Sequence, residues 1–87
     1  MKNQTQKIED VKAHLGAMRV EPTETGYYVR FRKSKSHKIM LDNIFQFDDV
    51  MEEDGWKRIG EYEIMLTTEA FEEVYRNYYN KLYDPHW

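Results

Sequence analysis

The sequence predicts a small α+β domain: an antiparallel sheet of about four strands with helices packed on one face. Three patterns carry that expectation. Over residues 67–83, Phe71, Val74, Tyr75, Tyr78 and Leu82 fall at the i, i+3, i+4, i+7 spacing of an amphipathic helix. Over residues 27–33, Tyr27, Val29 and Phe31 alternate strictly with Tyr28, Arg30 and Arg32, the period of a strand with one face buried. Over residues 61–66 the alternation returns, with Tyr62, Ile64 and Leu66 inward. Eighty-seven residues make one domain, 1–87, near the lower end of what folds without staples.

Residues 1–4 read as a polar, frayed lead-in. A helix follows from Thr5, with Ile8, Val11 and Leu15 on one face and Gly16 as its C-terminal cap. Met18 continues the stripe, but a helix running through Gly16 would cost roughly 1 kcal/mol, so the stop is favoured. Residues 17–21 then form a short strand and residues 22–26 its turn. After the strand at 27–33, residues 37–41 alternate as well, Ile39 and Leu41 against Lys38 and Met40, and are expected to pair back as a hairpin.

Asp42 or Asn43 is expected to cap a second helix, with Gln46 as capping-box partner of Asn43. Its stripe is Ile44, Phe47, Val50 and Met51, and Gly55 ends it. Residues 56–60 are a connector, or the start of a strand interrupted by a bulge at Gly60. The last helix is capped by Thr67 or Thr68, carries Glu69, Glu72 and Glu73 near its positive end and Lys81 near the other, and stops at Asp84-Pro85. The expected order is α-β-β-β-α-β-α.

Composition removes several classes of function. There is no cysteine, so disulfides, thiolate zinc sites and thiol catalysis are excluded. No apolar run approaches membrane-spanning length, and the opening MKNQTQKIED is too polar for a signal peptide. A cytoplasmic protein without membrane contact is expected. Net charge is −3, yet it is unevenly spread: residues 30–41 hold five cations and no acid, whereas residues 42–73 hold eleven carboxylates against Lys57 and Arg58.

The acidic run Asp48, Asp49, Glu52, Glu53 and Asp54 opposes helix stability. Like charges stand at i, i+4 (Asp48 with Glu52, Asp49 with Glu53), at perhaps ~0.2–0.5 kcal/mol each. Glu52, Glu53 and Asp54 also crowd the end where the helix dipole disfavours anions. Local violations of this kind are where function is expected, here as an anionic surface for a basic partner. The alternative is a solvated face. A metal site is not expected, because the spacing misses the EF-hand pattern. The basic run offers a second surface, with Tyr28, Arg30, Arg32 and Lys38 on the outward face of the hairpin and Lys33 and Lys35 at its tip. Cations beside an aromatic on a sheet suit single-stranded nucleic acid, while the same charges also guard an edge strand or pair with the acidic run. Tyr79, Tyr83 and Trp87, at the edge of the last helical stripe, add aromatic contact area.

Catalysis finds little support. His14, His37 and His86 show no metal-ligand spacing, and there is no phosphate loop or nucleophile elbow. The KSKSHK stretch resembles the histidine strand of HicA-type mRNA interferase toxins, whose fold is also helix, strands, helix. The Gly-Ser-His step of that family is missing; His37 beside Arg32 and Lys38 is the candidate general base that a metal-free ribonuclease would need. In size, acidity and element order the chain is similar in type to phage-encoded inhibitors of bacterial defence nucleases, including anti-CRISPR proteins. That similarity implies a protein partner and carries over no residue.

The expectation is therefore a non-enzymatic, cofactor-free acidic binding protein, a nucleic-acid mimic. It would dock as inhibitor or modulator on a larger, nucleic-acid-handling protein through Asp48, Asp49, Glu52, Glu53, Asp54, Tyr79, Tyr83 and Trp87. The alternative is a single-stranded nucleic-acid-binding module using Tyr28, Arg30, Arg32, Lys33, Lys35 and Lys38. A second alternative is a homodimer in which the hairpin and the acidic helix pair between copies.

Overall fold

A computed structural model of the chain describes residues 4–83, with the side chains of all of these except Asp48 and residues 78–83. Eight elements follow one another: α1 (Gln4–Leu15), β1 (Arg19–Pro22), β2 (Gly26–Arg30), α2 (Lys35–Ile44), α3 (Asp48–Glu53), β3 (Trp56–Arg58), β4 (Glu63–Thr67) and α4 (Thr68–Tyr83). The strands form one antiparallel sheet in the order β1-β2-β4-β3. The α+β class and the four-stranded antiparallel sheet are those the sequence predicts.

Helix α1 ends as its glycine dictates. Gly16 takes φ +69°, its N–H donates to the Ala13 carbonyl at 3.3 Å, and the Ala17 N–H reaches back to the Lys12 carbonyl at 3.0 Å. These are the two bonds of a Schellman cap, which needs a residue tolerant of positive φ. The chain reverses into β1 and turns through residues 23–25 into β2, where the Thr23 hydroxyl accepts the Gly26 N–H at 3.0 Å.

Strand β2 is the centre of the sheet. Val20, Val29 and Ile64 lie in register across β1, β2 and β4, as do Tyr27 and Leu66, and all five are buried. Phe31, just past the strand, is also buried, and its N–H donates to the Tyr62 carbonyl at 2.8 Å. Alternate residues Tyr28, Arg30, Glu63 and Met65 occupy the other face and are only half-buried. On the covered face the core closes around Val11 of α1, Leu41 of α2 and Ala70, Phe71 and Val74 of α4. The Tyr27 and Phe71 rings stack with centroids 3.7 Å apart. Thr67 caps α4, its hydroxyl accepting the Ala70 N–H at 3.1 Å.

Residues 37–41, expected as the third strand, are helical. Both neighbours of β2 are already present, β1 on one side and β4 on the other, so a strand there has no ladder to join. Ser34, in extended conformation, instead caps α2 and accepts the His37 N–H at 3.2 Å. Leu41 is fully buried and Phe45 nearly so, four residues apart on one helical face, while Ile39 stays 51% exposed. The fourth strand comes from β3, which pairs Trp56 with Leu66 and Arg58 with Ile64.

The expected second helix is also two pieces. Asp42 and Asn43 sit in the last turn of α2 rather than at a cap, and the chain breaks at residues 45–47 before the six-residue α3. Phe45 completes the stripe of α2, so Phe47, two residues on, is turned away and 68% exposed; Val50 is 56% exposed. Only Ile44 and Met51 of the expected stripe pack against the core. Gly55, at φ +91°, closes this segment as expected. Of the lead-in expected at residues 1–4, Gln4 already belongs to α1; residues 1–3, and the stop expected at Asp84-Pro85, lie outside the described residues.

Candidate docking surface and the distribution of charge

The corner where α3 leads into β3 gathers acidic and apolar side chains. Asp49, Glu52, Glu53 and Asp54 are all exposed. None forms an ion pair or side-chain hydrogen bond among the described residues. The exposed Phe47 and Val50 belong to the same turn and helix. Two small clefts flank the corner. One of about 230 Å³ is lined by Glu52, Trp56, Lys57 and Met65 together with Thr25 and Thr67. The other, of about 190 Å³, lies between Asp54 and Trp56 on one side and Glu73, Val74 and Asn77 of α4 on the other. Trp56, half-buried, is shared by both. Both clefts are smaller than the roughly 300–1,000 Å³ that encloses a drug-sized ligand, so this corner is shaped to be covered rather than filled. Among the described residues no group of three His, Asp or Glu side chains is placed to hold a metal ion.

Asp48 opens α3, and its side chain lies outside the described set; so do those of Tyr79 and Tyr83 on α4, and all of Trp87. Phe47, assigned to the core stripe, was missed as a surface residue; Trp56, read as part of a connector or of a strand start, opens β3 and was not singled out as a site residue. The spacing Phe45-Gln46-Phe47 held the clue, since two phenylalanines two apart cannot share one helical face.

The basic residues do not form a hairpin surface. Tyr28 and Arg30 lie on the open face of the sheet, Arg32 and Lys33 follow β2, and Lys35 and Lys38 belong to α2. Tyr28 donates its hydroxyl to Glu63 Oε2. That hydrogen bond first, then burial and the Glu63 charge, holds the phenol above its ordinary pKa. Lys38 is engaged by Asp42 at 3.3 Å and Glu61 at 3.7 Å. The bond to Asp42, then the Asp42 and Glu61 charges, raises its ammonium above the usual lysine value. Arg30, Arg32, Lys33 and Lys35 have no ion pair among the described residues.

The two charged regions sit at opposite ends of the sheet. Gly26 pairs with Thr67 at the acidic end and Arg30 with Glu63 at the basic end. Four residue steps separate them, roughly 14 Å at about 3.4 Å each. Among the described residues no ion pair joins Asp49, Glu52, Glu53 or Asp54 to Arg30, Arg32, Lys33 or Lys35. Among the described residues no helix is long and apolar enough to cross a membrane. Searches against protein-family models, curated proteins and solved structures return no match for this chain.

Proposed function

We propose that this is a small, non-enzymatic binding protein that docks through its α3–β3 corner onto a basic surface of a larger, nucleic-acid-handling protein and modulates it, in the manner of nuclease inhibitors. One observation carries the reading. Four exposed carboxylates without an ion pair or side-chain hydrogen bond among the described residues share a short segment with two exposed apolar side chains, Phe47 and Val50. Unpaired acids alone would be a solvated face. Acids around an exposed phenylalanine supply both parts of an interface, an apolar contact at the centre and charge that steers a basic partner to it. Asp49, Glu52, Glu53 and Asp54 take the places of phosphates, Phe47 and Val50 supply buried area, and Trp56 lies between the flanking clefts.

The test compares tagged wild type with three variants in nuclease-treated cell lysate. One reverses Asp49, Glu52, Glu53 and Asp54 to Lys, one carries Phe47→Ala with Val50→Ala, and one reverses Arg30 and Lys33 to Glu. A retained nucleic-acid-processing protein that is lost with the first two variants and kept with the third is the expected result. A partner kept by the acid-reversed variant, or lost only with the basic one, rejects the acidic corner as the docking surface.

A further inference from the structure

At the basic end of the sheet a second kind of cleft opens, about 220 Å³ in volume and lined by Gly16, Ala17, Met18, Arg32 and His37. Three parts of the chain meet there: the cap of α1, the segment after β2 and the first turn of α2. Among the described residues that line it, only Arg32 and His37 are ionisable. Both are basic, and none of these lining residues carries a carboxylate.

Ser34 orients the His37 imidazole. Its oxygen accepts the His37 backbone N–H at 3.2 Å and is in hydrogen-bond contact with His37 Nδ1 at 2.8 Å. Nε2 faces the α1 cap, 4.0 Å from the position a Cβ would take at Gly16. The ring is steadied from its other side by the buried Phe31, with ring centroids 5.7 Å apart. The cleft is therefore lined by an oriented imidazole and by the exposed Arg32, which has no ion pair among the described residues.

We propose that this cleft binds a phosphate group, held by His37 Nε2 and the Arg32 fork. An imidazole and a guanidinium carried on separate segments suit a tetrahedral oxyanion, whereas the guanidinium alone satisfies a planar carboxylate in one plane. The volume, below that of a pocket for a whole drug-sized ligand, suits one anionic group with the rest of its molecule outside. Arg30, Lys33 and Lys35, close in sequence and unpaired among the described residues, add attraction without lining the cleft. The site shares no residue with the acidic corner, so either reading stands or falls alone.

The experiment follows the His37 ring resonances of the intact chain by NMR at constant ionic strength. The probes are inorganic phosphate, a nucleoside monophosphate, a short single-stranded oligonucleotide and, as control, chloride. Saturable shifts with a phosphate-bearing probe, weakened about tenfold or more by Arg32→Gln, are expected, because a charge-assisted hydrogen bond contributes on that order. Arg32 is exposed, so the variant keeps its fold, and Arg32→Lys should recover only part of the affinity. Saturation by phosphate or the mononucleotide assigns a small phosphate ligand, and saturation by the oligonucleotide alone assigns a nucleic-acid backbone; both support the cleft. Shifts that do not saturate, that chloride reproduces, or that survive Arg32→Gln overturn it.

Discussion

Arg58 of β3 holds Asp42 of α2 across sixteen residues, with Nη1 2.8 Å from the Asp42 carboxylate. The same guanidinium donates through Nε to the Gly60 carbonyl at 3.2 Å and through Nη2 to the Glu61 carbonyl at 2.9 Å. One side chain thus ties the β3–β4 connection to the end of a helix. Lys38 completes the group on the other side of Asp42, at 3.3 Å.

The Asp42 carboxyl is held below the usual carboxylate range, first by its hydrogen bond to Arg58 and then by Lys38. A depressed folded-state pKa means the contribution is present above the unfolded value of about 4 and is lost as pH falls through the folded value. Asp42→Asn should therefore lower the denaturation midpoint at neutral pH and flatten its dependence below about pH 4. Urea titrations at several pH values check this. An unchanged acid limb in the variant would remove Asp42 from the account.

Ser34→Ala should destabilise the protein by about 0.5–2 kcal/mol, the usual cost of losing an N-cap. Ser34→Asp should restore most of it. The pair of variants also tests the helix over Lys35–Ile44 directly, because a strand at residues 37–41 would be indifferent to both. Denaturant unfolding with far-ultraviolet circular dichroism is the measurement.

Gly26→Ala should be more damaging than its size implies. A Cβ at Gly26 would stand 2.0 Å from the Leu66 carbonyl oxygen, and that neighbour is backbone inside the β2–β4 ladder. The strands must separate to admit it, at about 1–3 kcal/mol or more. Faster amide exchange along Ile64–Leu66 would accompany the loss.

Phe47→Ala and Val50→Ala should leave stability within about 0.5 kcal/mol of wild type, since both side chains are mostly exposed. Leu41→Ala, fully buried, should cost about 2–5 kcal/mol. Equal thermal shifts for Phe47→Ala and Leu41→Ala would show that Phe47 packs inside.

Where local chemistry decides structure, the elements were legible. Gly16 marks the end of α1 because its φ is positive, Thr67 marks the start of α4 because its hydroxyl has an amide to accept, and Tyr27, Val29, Ile64 and Leu66 alternate as buried strand residues must. Residues 37–41 were not legible from their own pattern. Five residues with Ile39 and Leu41 two apart fit a strand, while His37, Leu41, Ile44 and Phe45 fit a helix; the arbiter is distant, namely that β1 and β4 already flank β2. The acidic run was visible as charge, but its exposed partner Phe47 was hidden by a stripe that looked like core. The His37 cleft depends on Gly16 and Arg32 meeting from separate elements, which spacing along the chain does not reveal.

The separation of unpaired acids and unpaired bases at the two ends of a rigid sheet gives the described domain a permanent electric moment, whatever its modest net charge. A body of this kind turns as it approaches another charged surface and arrives with one end leading. Neutralising residues at the leading end would then slow encounter more than it hastens separation, and added salt would blunt that difference.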